Sequence, residues 1–144
     1  MKRIVLFVIL CMMFSHTALA QSEDITVTVN GRELETPITA KIINERTMLP
    51  MRSVFEALGA SVTWKEADRM IFATKGNTLI TFKIGVPKMS VQTIESDKNT
   101  AVFLDTAPYI EDGYTLVPVR AAAEAFMAQV DWNGDTRTVA IITQ

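Results

Sequence analysis

Two carboxylate pairs, Glu66 with Asp68 and Glu111 with Asp112, are the side chains in this sequence that could break a bond. Cutting a glycosidic bond needs no more than two carboxylates about 5–10 Å apart. Both pairs stand in polar, turn-like stretches, where a solvated charge is the ordinary role. No catalytic residue is assigned from them. The chain has one cysteine, Cys11, and one histidine, His16, both within the first 20 residues. If that segment is removed, a thiolate–imidazole metal site has no ligands. A serine or cysteine nucleophile then has no imidazole base. No metal and no cofactor is expected.

Residues suited to binding are more frequent. Arg52 with Glu56, and Arg120 with Glu124, are spaced i,i+4 and could hold an anion. Their plainer role is an ion pair along one helix face, worth a few tenths of a kcal/mol, or an arginine bonding nearby carbonyls. Trp64 and Trp132 could stack on sugar rings, although rings of that size are usually spent on packing. The run Asp131-Trp132-Asn133-Gly134-Asp135 has a faint calcium-loop look. It lacks the distal glutamate and the spacing of such a loop, so a hairpin turn is expected there.

The elements that would carry these residues begin after the leader. Lys2 and Arg3 precede an uncharged apolar run, Ile4–Phe14, and Ala18-Leu19-Ala20 follows. That order is a secretory signal peptide over residues 1–20, with cleavage expected after Ala20. The run is about 11 residues, short of the roughly 20 that span a bilayer, so no stable membrane anchor is expected after cleavage. The leader takes Lys2 and Arg3 away. The 14 basic side chains become 12 against 16 acidic ones, a charge of −4. An acidic surface disfavours nucleic acid, which is bound by neutralising phosphates. Residues 21–144 are long enough to bury roughly two-thirds of their unfolded surface. One domain is expected.

That domain writes one phrase twice. Thr47–Trp64 and Thr115–Trp132 align without a gap at a constant offset. Pro50, Arg52, Glu56 and Trp64 fall on Pro118, Arg120, Glu124 and Trp132. A fixed offset over such a length indicates internal duplication. Each copy reads as strand, helix and hairpin. The prolines suit a helix's first turn, and helices are predicted over Met51–Leu58 and Val119–Met127. Met51, Val54, Phe55 and Leu58 make one apolar stripe, and Val119, Ala122, Ala123, Phe126 and Met127 the other. Gly59 fits the left-handed position past a helix end. Met127 replaces it in the second copy, where that conformation costs on the order of 1 kcal/mol, so a different ending is expected. Strands are predicted over Ile25–Val29, with Asn30-Gly31 as a hairpin turn, and over Thr78–Ile84 and Ala101–Leu104. Pro87–Thr100 is the least patterned stretch and is expected to be a surface loop. The fold class is α+β: antiparallel β-sheets packed with two short helices, in two pseudo-repeated strand-helix-hairpin units sharing one core.

The pieces Val29-Asn30-Gly31, Thr47–Trp64, Ile80–Gly85, Leu104–Ile110 and Thr115–Ile142 together resemble one family. It is the copper amine oxidase N-terminal-like domain, or stalk domain, of secreted proteins from Gram-positive, often spore-forming, bacteria. Nearly all of residues 21–144 is covered. Asn44-Glu45 stands where Asn-Gly is usual, Met127 where Gly is usual, and Asn133-Gly134 where an acidic turn is common. The resemblance implies a domain without copper or catalysis. The oxidase chemistry belongs to a separate domain with histidine ligands and a tyrosine-derived cofactor. Here Tyr109 sits in Pro-Tyr-Ile and Tyr114 in Gly-Tyr-Thr, outside the sequence context that cofactor needs.

The expected function is a secreted, non-catalytic accessory domain that binds at the cell envelope or extracellular matrix. Its partner would be a cell-wall polymer or an extracellular protein. The alternative is a small secreted inhibitor or regulator of an extracellular enzyme, with Pro87–Thr100 as its protruding loop. Free sheet edges would also permit a homodimer.

Overall fold

Alternation of threonine and valine makes the first strand, β1 (Thr26–Val29), with Val27 buried. The computed structural model describes residues 24–144; the expected signal peptide and its cleavage point lie outside them. Asn30 and Gly31, at φ 50° and 79°, turn the chain into β2 (Arg32–Glu33). Positive φ at both central residues is what a tight hairpin of this hand requires.

The chain then runs through β3 (Lys41–Ile43), β4 (Arg46–Pro50) and α1 (Met51–Ala57). A meander follows: β5 (Ser61–Lys65), β6 (Met70–Lys75), β7 (Thr78–Lys83), β8 (Lys88–Thr93) and β9 (Lys98–Phe103). The last part is β10 (Tyr109–Glu111), β11 (Tyr114–Pro118), α2 (Val119–Ala125), β12 (Gln129–Asn133) and β13 (Thr138–Ile142). The bounds of β3, β4, α1 and β5 recur in β10, β11, α2 and β12 at the offset that carries Thr47 onto Thr115.

The strands form three sheets, ordered β12-β13-β1-β2, β10-β11-β4-β3 and β5-β6-β7-β8-β9. Every pairing is antiparallel except β1 with β13, where Val27 lies beside Val139. The expectation of antiparallel strands alone is corrected there. The two strands belong to opposite ends of the sequence, and no local pattern fixes the direction of such a pairing. At the centre, β4 and β11 pair with Val117 opposite Leu49, Met48 opposite Pro118 and Leu116 opposite Pro50. Lys41 of β3 reaches Glu111 of β10 at 2.6 Å, tying the two outer strands of that sheet together.

Both helices press one face onto this framework. α1 buries Met51, Val54 and Phe55, and α2 buries Val119, Ala122 and Ala123. Phe55 stands between Phe82 and Phe126, at ring-centroid distances of 6.0 and 5.6 Å. One buried cluster includes side chains from both helices and from β6, β7 and β13. Pro50 and Pro118 are each the last residue of a strand and the cap of the following helix, with ψ of 116° and 113°. They stand one residue ahead of the helices whose first turn they were expected to open.

Three further expectations change. Pro87–Thr100 is no loop, because Lys88–Thr93 and Lys98–Phe103 pair as a hairpin. Met89 is buried and Val91 and Val102 pack against the core. That alternation is present in the sequence, but Lys, Ser, Gln and Thr fill the intervening places. α2 stops at Ala125, and Met127 leaves its apolar stripe with 70% of its surface exposed. Both helices also end alike. Met127 adopts φ 63°, as Gly59 adopts φ 80°. Gly59 N–H donates to Glu56 C=O at 2.9 Å, and Met127 N–H to Glu124 C=O at 2.9 Å. These bonds, with Ala60 N–H to Phe55 C=O and Ala128 N–H to Ala123 C=O, satisfy carbonyls the helix ends leave open.

Candidate functional site: two clefts at equivalent places

α2 shows solvent a face of small side chains, Ala121 and Ala125, between the charges of Arg120 and Glu124. The β8–β9 hairpin stands opposite and contributes Met89, Val91 and Val102. Between them lies a cleft of about 1080 Å³, floored by Val130 and Val139. Four large apolar side chains at its walls are exposed: Ile42, Phe103, Met127 and Trp132. Phe103 keeps 83% of its surface exposed. A concave patch of this kind is where apolar contact with another molecule becomes favourable.

A second cleft, of about 650 Å³, lies beside α1. Ile110, Thr115, Pro50, Arg52, Glu56 and Trp64 line it, and their equivalents Ile42, Thr47, Pro118, Arg120, Glu124 and Trp132 line the first. Six lining residues of each cleft thus stand at positions equivalent under that offset, and the two tryptophans differ in their surroundings. Trp64 is half-buried against the core, and its indole N–H donates to Glu66 at 2.5 Å. Trp132 is 42% exposed. At the offset of the repeat the place of Glu66 is taken by Gly134, which offers no side-chain acceptor. The expectation of a packing role fits the position of Trp64; Trp132 stands at the wall of the wider cleft.

The helix pairs are formed on both sides. Arg52 meets Glu56 at 3.3 Å and Arg120 meets Glu124 at 3.9 Å, all four being exposed. Arg46 pairs with Asp105 at 2.6 Å on the wall of the wider cleft. Glu45 and Asp131 also line it, and neither has an ion-pair partner among the described residues. The rim therefore has a negative balance.

Three of the four acids considered for catalysis, Glu66, Asp68 and Glu111, are engaged in other contacts. Glu66 accepts from Trp64, and Asp68 pairs with Lys65, whose hydrogen bond holds its carboxyl below the usual range. Glu111 pairs with Lys41 and raises that ammonium's pKa through the hydrogen bond. In the Asp131–Asp135 run, the Asn133 side-chain oxygen accepts from the N–H groups of Asp135 and Thr136 at 3.0 and 3.1 Å. That is a turn closing on itself. Sequence reasoning missed Phe103 and the hairpin wall, because the cleft exists only once β9 is folded opposite α2. The exchange of Glu66 for Gly134, by contrast, was readable from the repeat. No helix among the described residues is long and apolar enough to cross a membrane.

The family described as the copper amine oxidase N-terminal domain matches residues 28–141. A protein of Brevibacillus choshinensis named "Protease inhibitor" is 26% identical over 117 residues, covering 81% of this chain. The chain spans about a third of that relative's length, 34%. No solved structure matches the chain.

Proposed function

We propose that this chain, which belongs to the copper amine oxidase N-terminal domain family, is a secreted, non-catalytic domain that works by contact. It seats part of a protein partner in the cleft between α2 and the β8–β9 hairpin. The observation that carries this reading is the concave grouping of Ile42, Phe103, Met127 and Trp132, left exposed beside a buried core. Apolar side chains gathered on a concave wall suit the apolar anchors of a protein surface. A relative named for protease inhibition supports a protein partner, and inhibition by blockade of an extracellular protease is the form this function takes. The recurrence of element bounds and cleft residues supports two duplicated units sharing one core, with one cleft widened for binding.

Retention on a wall polymer is the second reading, supported by the exposed ring of Trp132. One set of measurements separates the two. Residues 21–144 and the variant Ala125→Arg, which fills the cleft from the α2 side, are tested against a panel of purified secreted endopeptidases by surface plasmon resonance. Both are also co-sedimented with cell wall, chitin and cellulose. Binding to an endopeptidase that Ala125→Arg abolishes is the expected result. Retention on polymer that survives Ala125→Arg, with no endopeptidase bound, would overturn the cleft reading.

A further inference from the structure

Among the described residues, the five-stranded sheet stops at β9, whose outer side faces no other strand. Leu104 N–H donates to Pro87 C=O at 3.0 Å, back toward the β8 side. Antiparallel ladders alternate, so the backbone groups of Thr100 and Val102 also face β8. Those of Asn99, Ala101 and Phe103 face outward, without a partner among the described residues. Proteins usually blunt such an edge with proline, a bulge or inward charge. β9 contains no proline, and its one charge is Lys98 at its start. Thr100 and Val102 meanwhile line the cleft. A row of free donors and acceptors thus runs along the wall of an apolar groove.

We propose that this edge accepts an extended apolar segment of the partner, carrying a lysine or arginine, as a sixth strand of the sheet. The inference rests on the cleft being the binding site and names how it is filled. Main-chain bonds to Asn99, Ala101 and Phe103 hold the segment. Every second side chain then enters the groove toward Ala125, Met127 and Trp132. The positive charge answers Glu45 and Asp131, since Arg46 and Arg120 are already paired.

The probe is a labelled peptide, Lys-Val-Thr-Val-Thr-Val-Lys, titrated to about 1 mM with residues 21–144 and followed by fluorescence anisotropy. Three comparisons accompany it: the peptide N-methylated on alternate residues, the peptide with glutamate at both ends, and the protein variant Ala101→Pro. A proline whose nitrogen faces solvent on an edge strand is tolerated, and circular dichroism checks the fold. Binding weakened roughly tenfold or more in each comparison is the expected result. If Ala101→Pro fails to fold, the N-methylated peptide alone decides the main-chain contribution. Binding that Ala125→Arg abolishes but N-methylation leaves unchanged would overturn strand addition while the cleft reading stands. No binding of the parent peptide would overturn strand addition, and the endopeptidase measurement judges the cleft separately. A dimer in sedimentation that Ala101→Pro dissolves would assign the edge to a second copy and overturn the proposal.

Discussion

Met127 and Gly59 hold the same left-handed turn, and one of them has a side chain that resists it. For a residue with a Cβ the conformation costs about 1 kcal/mol or more, and 70% of the Met127 surface faces water. Met127→Gly is expected to raise stability by about 1 kcal/mol, or roughly 4 °C in thermal melting. Since Met127 lines the wider cleft, the same variant should also weaken binding, a combination calorimetry and titration together would reveal. The two tryptophans should separate in the opposite manner. Trp64→Ala removes a ring packed on the core and leaves Glu66 without its donor, for a loss of about 2 kcal/mol. Trp132→Ala should cost under about 1 kcal/mol in denaturant melts and fall chiefly on binding. At this scale the repeat made Pro50, Arg52, Glu56 and Trp64 and their counterparts legible. It did not reveal that Met127 would imitate Gly59, because the surrounding turn imposes its shape on whichever residue stands there.

Among the elements, β3 and β10 carry the groups that answer to alkaline pH. Burial raises the Tyr109 phenol above its ordinary value, and Glu111 adds to the shift. Its hydroxyl is buried with no protein partner among the described residues. Lys41 is raised by its hydrogen bond to Glu111. Both groups keep their protons longer folded than unfolded, so their contribution is complete below the unfolded values. It is lost as pH rises from about 10 through the folded ones. Asp68, held low by Lys65, behaves conversely: its contribution is present above its unfolded value and lost as pH falls through the folded one. Tyr109→Phe should flatten the alkaline limb of a stability-versus-pH curve. It should also add about 1 kcal/mol at neutral pH by deleting an unpaired hydroxyl. An unchanged alkaline limb would remove Tyr109 from the account.

The helices and hairpins were largely readable at this scale, because proline, glycine and apolar spacing act locally. Of the β8–β9 hairpin only the end of β9, Ala101–Phe103, was readable, since an edge strand with one wetted face carries half the usual apolar signal. The direction of β1 beside β13 was not readable.

Over the whole molecule, the two clefts differ at the aligned positions Glu66 and Gly134. The narrower cleft has its tryptophan fastened by Glu66; the wider one has glycine in that place. A Cβ at Gly134 would meet the Trp132 indole nitrogen at 3.6 Å, an ordinary contact. Gly134→Glu should therefore fold normally, offer an acceptor to the indole N–H, and lower cleft affinity several-fold. Tryptophan fluorescence and partner titration would check both halves of that expectation. Affinity equal to the parent chain's would mean the difference between the clefts arises from the β8–β9 wall alone.

The parallel pairing of β1 with β13 also has a mechanical meaning. Thr26, where β1 begins, lies beside Thr138, and Val29 lies beside Ile141, near the end of β13. Tension applied through Thr26 and Ile142 would draw the two strands lengthwise past each other. Their hydrogen bonds would then carry the load together, not one after another as in the peeling of a hairpin. Pulled at its ends, the domain should resist as a clasp and yield in one abrupt step.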